Sequence, residues 1–465
     1  MAGVDPRHDD IIERNLLSDL LAAVSDTPAL EVTRQLKDRG DRGISLVERS
    51  LLAAVTDELL ERAVAWAVEA DSSGRGDRAV GALVGLAVGD WVGLPLEFLE
   101  LSERPGDSRW DHDEFTWLNP NSTKLRSTLK RGQFSDDTSM ALCLADSIIA
   151  CRRLDGADIR IRFWSWQAEG LNNTFRFDKS RRSRKSIGLG HNISKSLFAL
   201  KPGEPVDPVF INPGSSDSGN GGLMRLAPVP IFHAEPDRLE VALDDAGSSS
   251  LTTHPGAFAT ECARLLAFLV HQGINSCSEV RAQGARAFLE ASCDAYASRL
   301  RALLDNASVE VGDDSALDDV PAERYAREEL LALVTSSKVG ETEQCWNWRS
   351  QSLHLVETFK ARGETYNGHP VNRCYAGSYC MDGIAMALHA VATTTSFAAA
   401  IERAVNFLGD SDTVGAIAGQ IAGSFYGYSS IDHRYIEALR SWDRGEIAGR
   451  AVLCFLLGRS SVGAT

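Results

Sequence analysis

The feature that most restricts the fold of this chain is a row of glycines at a strict period of four. Gly81, Gly85, Gly89 and Gly93 interleave with alanine and valine in the stretch from Arg78 to Leu99. Glycine costs about 1 kcal/mol relative to alanine inside a helix, so four on one line need a compensating contact. Residues four apart share a helix face, and a face without side chains lets a second backbone come very close. A second row, Gly415, Gly419, Gly423 and Gly427, occurs late in the chain. The two rows predict two central helices that pack at near backbone contact within a compact helical domain. A membrane-spanning reading of the first row is disfavoured: Arg78 and Asp90 confine its apolar stretch, and no run approaches about 18 uninterrupted apolar residues.

Two acidic clusters stand at helix starts. Ser135-Asp136-Asp137-Thr138 precedes a run with Met140, Leu144 and Ile148 on one face, and Asp410-Ser411-Asp412-Thr413 leads straight into the second glycine row. One reading is local: Ser135 or Asp136 caps the helix, and acids in a first turn are favoured by the helix dipole. The other is chemical. Carboxylates and hydroxyls this dense are hard oxygen ligands of the kind Mg²⁺ or Mn²⁺ requires. If the fold unites the clusters, their repulsion calls for divalent cations, so a two-metal centre is expected.

With 465 residues, 44% of them hydrophobic, the chain can bury a large core. A formal net charge of −16 argues against general affinity for nucleic acid or an anionic membrane, both of which rest on clustered Lys and Arg. Nine scattered cysteines without a Cys-x-x-Cys pair read as reduced, mostly buried thiols. Met1 to Asp10 lacks the basic-then-apolar order of a secretory signal, so a cytoplasmic location is expected.

Along the chain, Leu16, Leu17, Leu20 and Leu21, then Leu51, Leu52, Val55, Leu59 and Leu60, give helical spacing from Asp9 to about Asp71. Asp71-Ser-Ser-Gly-Arg-Gly reads as a linker, placing a boundary near residue 75. Residues 1–75 are then a helical extension, either packed on the main body of residues 76–465 or free to contact another protein. Residues 101–131 form a long polar loop of the kind that is usually functional. The basic segment Phe175 to Asn192 is a solvated loop or a phosphate contact. Gly219-Asn220-Gly221-Gly222 is a tight turn or a backbone cradle for an anion such as pyrophosphate. His254 is a helix-entry residue or a site residue. Ala291 to Thr342, with Asp313, Asp314, Asp318 and Asp319, reads as helices and surface loops outside the chemistry; Tyr366-Asn367-Gly368 is turn-like, and Gly377-Ser378-Tyr379 opens an alanine-rich helix, Met381 to Ala392. Strand signals are sparse, so the fold class is all-α.

Taken in order, Gly85 to Asp90 with Pro95-Leu-Glu97, Ser135 to Thr138, Gly219 to Gly221 with Met224-Arg225, Thr253-His254, Gly377 to Tyr379 and Gly409 to Thr413 resemble the ADP-ribosylglycohydrolase family over roughly residues 78 to 430. That family includes dinitrogenase-reductase-activating and ADP-ribosylarginine hydrolases. The resemblance implies a compact orthogonal helical domain over 76–465, two Mg²⁺ (or Mn²⁺) ions, and hydrolysis of the bond joining ADP-ribose C1″ to a modified side chain. It implies Ser135, Asp136, Asp137, Asp410, Asp412 and Thr413 as metal ligands. Glu97, Asp137 and Asp410 become the catalytic candidates, with Glu97 as acid/base or water-positioning residue. Asp90, Gly219, Asn220, Gly221, Gly222, His254, Gly377, Ser378, Tyr379 and Ser411 become substrate-binding candidates; the glycines would cradle pyrophosphate and Tyr379 would stack on adenine or ribose. Ser135 stands where the family more often has threonine, which keeps the hydroxyl. Trp91 takes a place that is commonly small, and so is expected to reshape the ribose-side pocket. The glycine, histidine and Gly-Ser-Tyr blocks look closer to the arginine-linked branch, making an ADP-ribosylated protein the expected substrate. An alternative from the same resemblance is an immunity-like protein whose residues 1–75 block an ADP-ribosylating toxin. A two-metal phosphate-ester hydrolase needs only the carboxylates, and leaves Gly219 to Arg225 and the glycine rows unexplained.

Overall fold

The computed structural model describes residues 6–24, 50–103, 106–121, 129–181, 185–201, 204–211, 218–310 and 322–462. At its centre two helices, Arg75–Gly93 and Ser411–Tyr426, run antiparallel and face each other through their glycines. A Cβ on Gly81 would lie 2.4 Å from the Gly423 carbonyl oxygen, one on Gly85 2.2 Å from that of Gly419, and one on Gly89 2.0 Å from that of Gly415. The clash is reciprocal: a Cβ on Gly419 would meet the Gly85 oxygen at 2.0 Å. Two backbones touch here with nothing between them. At the end of the crossing Gly93 packs on the Ser411 carbonyl and the Asp412 backbone, and the Ser411 hydroxyl donates to the Gly93 carbonyl at 2.9 Å. The antiparallel sense therefore sets the exit of the first helix, with Asp90 and Glu97, beside the entry of the second, with Asp410 and Asp412.

The second row is one glycine shorter than its spacing suggests. Gly427 lies beyond the helix at φ +89°, and Asp77 reaches under it to accept from the Ser429 amide. The first helix begins at Arg75 instead of Arg78, because the expected linker is a capping turn: the Asp71 carboxylate accepts from the Gly76 amide at 2.8 Å and from the Ser73 hydroxyl.

Helices layer around this pair, and among the described residues strands occur only as short hairpins, Arg109–Asp111 with Thr116–Leu118 and Thr365–Tyr366 with His369–Pro370. The second hairpin turns at Asn367-Gly368, the positions read as a turn. The fold is all-α. The one described helix long and apolar enough to cross a membrane, over 75–96, is buried in this core.

Of the leading segment, helices Pro6–Ala23 and Asp57–Ala65 are described, and Leu16, Leu20, Leu51, Leu52 and Leu60 are buried in the common core. Glu13 accepts from Arg459 at 3.0 Å, tying the first of these helices to the last helix, Glu446–Val462. Residues 25–49 of the segment lie outside the described residues, as do Asp313, Asp314, Asp318 and Asp319. Elsewhere a buried charge network locks the last helix to the body: Arg450 pairs with Asp146 at 2.7 Å and with Glu446 at 3.0 Å, and Glu446 also pairs with Arg176.

Candidate active site

The acid-bearing helix Asp136–Cys151 begins after Ser135, but the Ser135 side chain does not cap it. Asp90 does so from the neighbouring helix, accepting from the Thr138 amide at 3.0 Å, the Thr138 hydroxyl at 2.6 Å, the Ser135 amide at 3.0 Å and the Ser135 hydroxyl at 2.8 Å. With the cap supplied by Asp90, Asp136 and Asp137 are left to face the second cluster. Asp410 is held from the other side: its amide donates to the Ala376 carbonyl at 2.8 Å and its carboxylate accepts from Asn220 Nδ2 at 2.7 Å. Glu97 follows the short turn Leu94–Leu96, and Phe98 and Leu99 exchange backbone hydrogen bonds with Gly409 at 2.9 Å, fixing the Glu97 strap to the entry of the second acidic cluster.

The two clusters thus meet in one volume. Carboxylate oxygens of Asp90, Asp137 and Asp412 lie within 4.8 Å of one another, as do those of Glu97, Asp410 and Asp412, so Asp412 is common to both groups. Asp137 Oδ1 is buried with no hydrogen-bond partner among the described residues. Burial, and next the Asp412 carboxylate, pushes Asp90 up to about 6. Burial first, then the neighbouring acids, holds Asp136, Asp137 and Asp410 well above the ordinary carboxylate range. Oxygen donors this close, with an orphaned carboxylate oxygen and strong mutual repulsion, fit divalent cations of the hard class.

The cluster forms the floor of a cavity of about 710 Å³, within the range of small-molecule sites. Of the residues singled out in the sequence, Glu97, Asp136, Asp137, Gly219, Asn220, Gly221, His254, Ser378, Asp410, Asp412 and Thr413 line it. Six others stand behind its wall. Ser135 and Asp90 brace the acidic helix, Ser411 caps the first glycine helix, and Gly222 packs on Ser250. Gly377, at φ +99°, packs on Val414, and Tyr379 is buried at 3% exposure, paired with Gly219 in an isolated bridge. The aromatic ring on the cavity is instead Tyr375, which stacks on Phe98 at 5.0 Å. The expectation that Trp91 reshapes the ribose side is not met. Its ring points the other way, into a nest of Trp110, Phe115, Trp117 and Tyr435 with centroids 5.7–6.1 Å away.

Sequence reasoning left other walls unassigned. Gly188, Gly190, His191 and Asn192 come from the basic segment, and Gly188 lies so close on Asp136 that a Cβ there would overlap the carboxylate; its φ of +88° also favours glycine. His369 and Pro370 come from the second hairpin, where His369 Nε2 lies 3.1 Å from the Ser378 hydroxyl. The turn at Asn367-Gly368 was the one signal that pointed there.

The ADP-ribosylglycohydrolase family description matches residues 71–459. The chain belongs to the ADP-ribosylglycohydrolase family. The match is wider at both ends than the ordered blocks suggest. Among relatives, an "ADP-ribosylarginine hydrolase Tri1" of Serratia proteamaculans is 28% identical over 369 residues, 79% of this chain and 76% of that protein. The "ADP-ribosyl-[dinitrogen reductase] glycohydrolase" of Rhodospirillum rubrum is 26% identical over 78% of this chain and 90% of its own. A solved structure titled "ADP-ribosylglycohydrolase-related protein complex" superposes with a TM-score of 0.51 at 26% identity, covering 83% of this chain and 99% of that one. In this ADP-ribosylglycohydrolase fold, the glycine crossing brings Asp90 and Glu97 beside Asp410 and Asp412, and Asp90 in turn braces the helix that carries Asp136 and Asp137.

Proposed function

We propose that this protein hydrolyses ADP-ribose from modified protein side chains, with arginine-linked ADP-ribose as its substrate and two Mg²⁺ or Mn²⁺ ions as its cofactor. The observation that carries the reading is the sharing of Asp412 between two carboxylate groups on the floor of the cavity. The arginine linkage is supported by the relatives named ADP-ribosylarginine hydrolase, at 28% and 27% identity.

Asp136, Asp137, Asp410, Asp412 and Thr413 would hold the cations, with Ser135 beside Asp137. Bound there, divalent ions neutralise the carboxylates and lower the pKa of a water molecule. The chain's own groups do the rest. Asn220 keeps the Asp410 carboxylate oriented through its 2.7 Å hydrogen bond. Glu97, in the same group as Asp410 and Asp412, would take a proton from the water that attacks C1″ as the bond from C1″ to the arginine nitrogen breaks. Gly219 and Gly221 line the cavity as the backbone cradle for the pyrophosphate, and side chains there would press on the His254 ring. The 6% exposure of Glu97 and 1% of Asp137 keep most bulk water away, which strengthens each electrostatic contact.

The test is a panel of proteins ADP-ribosylated on arginine or on serine, incubated with this protein and Mg²⁺, with free ADP-ribose measured. Release from the arginine-linked substrate supports the reading. Release from the serine-linked substrate alone refutes the arginine assignment, and release from neither refutes the activity.

A further inference from the structure

Behind the glycine wall of the cavity lies a polar chain that the hydrolytic reading does not use. Arg225 is fully buried and stacks on the Phe163 ring at 4.6 Å. Its Nη2 donates to the Thr253 hydroxyl at 2.6 Å and to the Thr252 hydroxyl at 3.2 Å, while Thr252 passes its own proton to the Ser249 carbonyl at 2.7 Å. The Thr253 hydroxyl in turn lies 2.8 Å from His254 Nδ1. We propose that Arg225 and Thr253 are positioning residues that lock His254 in one tautomer, with Nδ1 bare and Nε2–H held as a donor toward an acceptor oxygen of the ligand.

The direction of the chain follows from what each group can do. A guanidinium donates and never accepts, so the Thr253 oxygen must accept from Arg225. Its hydroxyl proton then needs an acceptor, and among the described residues the one in contact is Nδ1. The opposite tautomer would present Nδ1–H to an oxygen already receiving a proton and would leave the buried hydroxyl proton without a partner. An unsatisfied buried donor of that kind disfavours a state by roughly tenfold to a hundredfold. Thr253 and His254 are both buried, at 0% and 3% exposure, so water cannot easily take over the contact.

His254 lines the cavity, and the glycines make room for the far edge of its ring. A Cβ on Gly219 would lie 3.2 Å from Nε2, and one on Gly221 would lie 2.9 Å from Nε2 and 2.4 Å from Cε1. Burial first, then the charge of Arg225 and then His369, lowers the His254 pKa to about 3, so the ring also stays neutral. His254 is thereby a fixed hydrogen-bond donor and not a proton shuttle. In ADP-ribose the matching atoms are phosphate or ribose oxygens. The ligand's identity rests on the function proposed above; the tautomer does not.

The experiment uses the full chain labelled with ¹⁵N-histidine, in long-range ¹H–¹⁵N spectra, with His254→Gln identifying the signals of this ring. The expected result is a protonated Nε2 and a bare Nδ1 that hold from pH 8 to pH 5. Thr253→Val removes the hydroxyl at nearly constant shape; the ring should then populate both tautomers, and ADP-ribose binding with Mg²⁺, measured by calorimetry, should weaken about tenfold. Thr253→Ser should restore both. A protonated Nδ1 in the unmodified protein, or an unchanged tautomer in Thr253→Val, overturns the proposal. If Thr253→Val does not fold, the unmodified protein and Thr253→Ser still decide, because a protonated Nδ1 in either contradicts the lock. A locked tautomer with no ADP-ribose binding supports the lock and overturns the proposed ligand instead.

Discussion

Replacing Gly89 by alanine tests whether the site is built on backbone contact between the two glycine helices. The new Cβ would stand 2.0 Å from the Gly415 carbonyl oxygen and 2.1 Å from its carbon. That is about 1.5 Å short of an ordinary contact. No rotamer change relieves it, because both obstacles are backbone atoms. Overpacking relieved by side-chain and backbone shifts costs about 1–3 kcal/mol, and this contact, which needs the backbone to move, belongs at the upper end, about 3 kcal/mol. Alanine returns about 1 kcal/mol through helix propensity. The net expectation is a loss of about 2 kcal/mol in urea unfolding followed by circular dichroism, with the slope of the transition unchanged. Gly340→Ala is the control: its Cβ would meet the end of the flexible Glu343 side chain, and the change should stay within about 0.5 kcal/mol. Asp90 follows Gly89 directly and braces Asp136–Cys151, so turnover should fall in the fraction of Gly89→Ala that remains folded. A Gly89→Ala protein as stable as the parent, or more stable by about the propensity gain of 1 kcal/mol, would refute the reasoning.

Other expectations follow from the same contacts. A carboxyl whose folded pKa is raised keeps its proton longer in the folded state, so in the metal-free protein the contribution of the acidic cluster to stability should be full below the ordinary carboxyl range and be lost as pH rises through about 6, the value for Asp90. Melting temperatures with chelator should therefore fall over that window, and the gain on adding Mg²⁺ should widen with pH. Arg450→Ala leaves the buried Asp146 without its cation and Glu446 with Arg176 alone, and denaturant unfolding should show a loss of about 3–5 kcal/mol. Trp91→Phe should lower stability through its aromatic nest while leaving KM for an ADP-ribosylated substrate unchanged, since the ring does not reach the cavity.

The parts legible in the sequence were those written in short-range pattern. Two glycine rows fix the crossing because only glycine permits that approach, and the hydroxyl-rich acidic clusters at helix starts mark carboxylates that meet on the cavity. The antiparallel sense that joins them comes from tertiary packing, which no local spacing encodes. Asp90 is a substrate-binding candidate only through the family resemblance; its role as a cap for another helix depends on a crossing invisible in the chain. Tyr379 and Tyr375 are four residues apart, and a backbone turn at Gly377 decides which ring meets the cavity. The walls from 188–192 and 368–370 lie where a loop turns into the helix His191–Phe198 and in a two-residue strand, too short for residue type to carry a periodic signal. Trp91 was misplaced for the same reason: its position on the helix was readable, but not the aromatic nest on its far side.

The central claim is that the carboxylates at the starts of Asp136–Cys151 and Ser411–Tyr426 form one metal-dependent hydrolytic centre. Initial rates of ADP-ribose release from an arginine-ADP-ribosylated protein, for the parent and Asp412→Asn, with Mg²⁺ or with chelator, test it most directly. The account predicts release by the parent with Mg²⁺ only, and a loss of at least about 100-fold in Asp412→Asn, which removes the carboxylate shared by both groups. Parent activity that survives complete chelation, or an Asp412→Asn protein that turns over at the parent's rate, would contradict it.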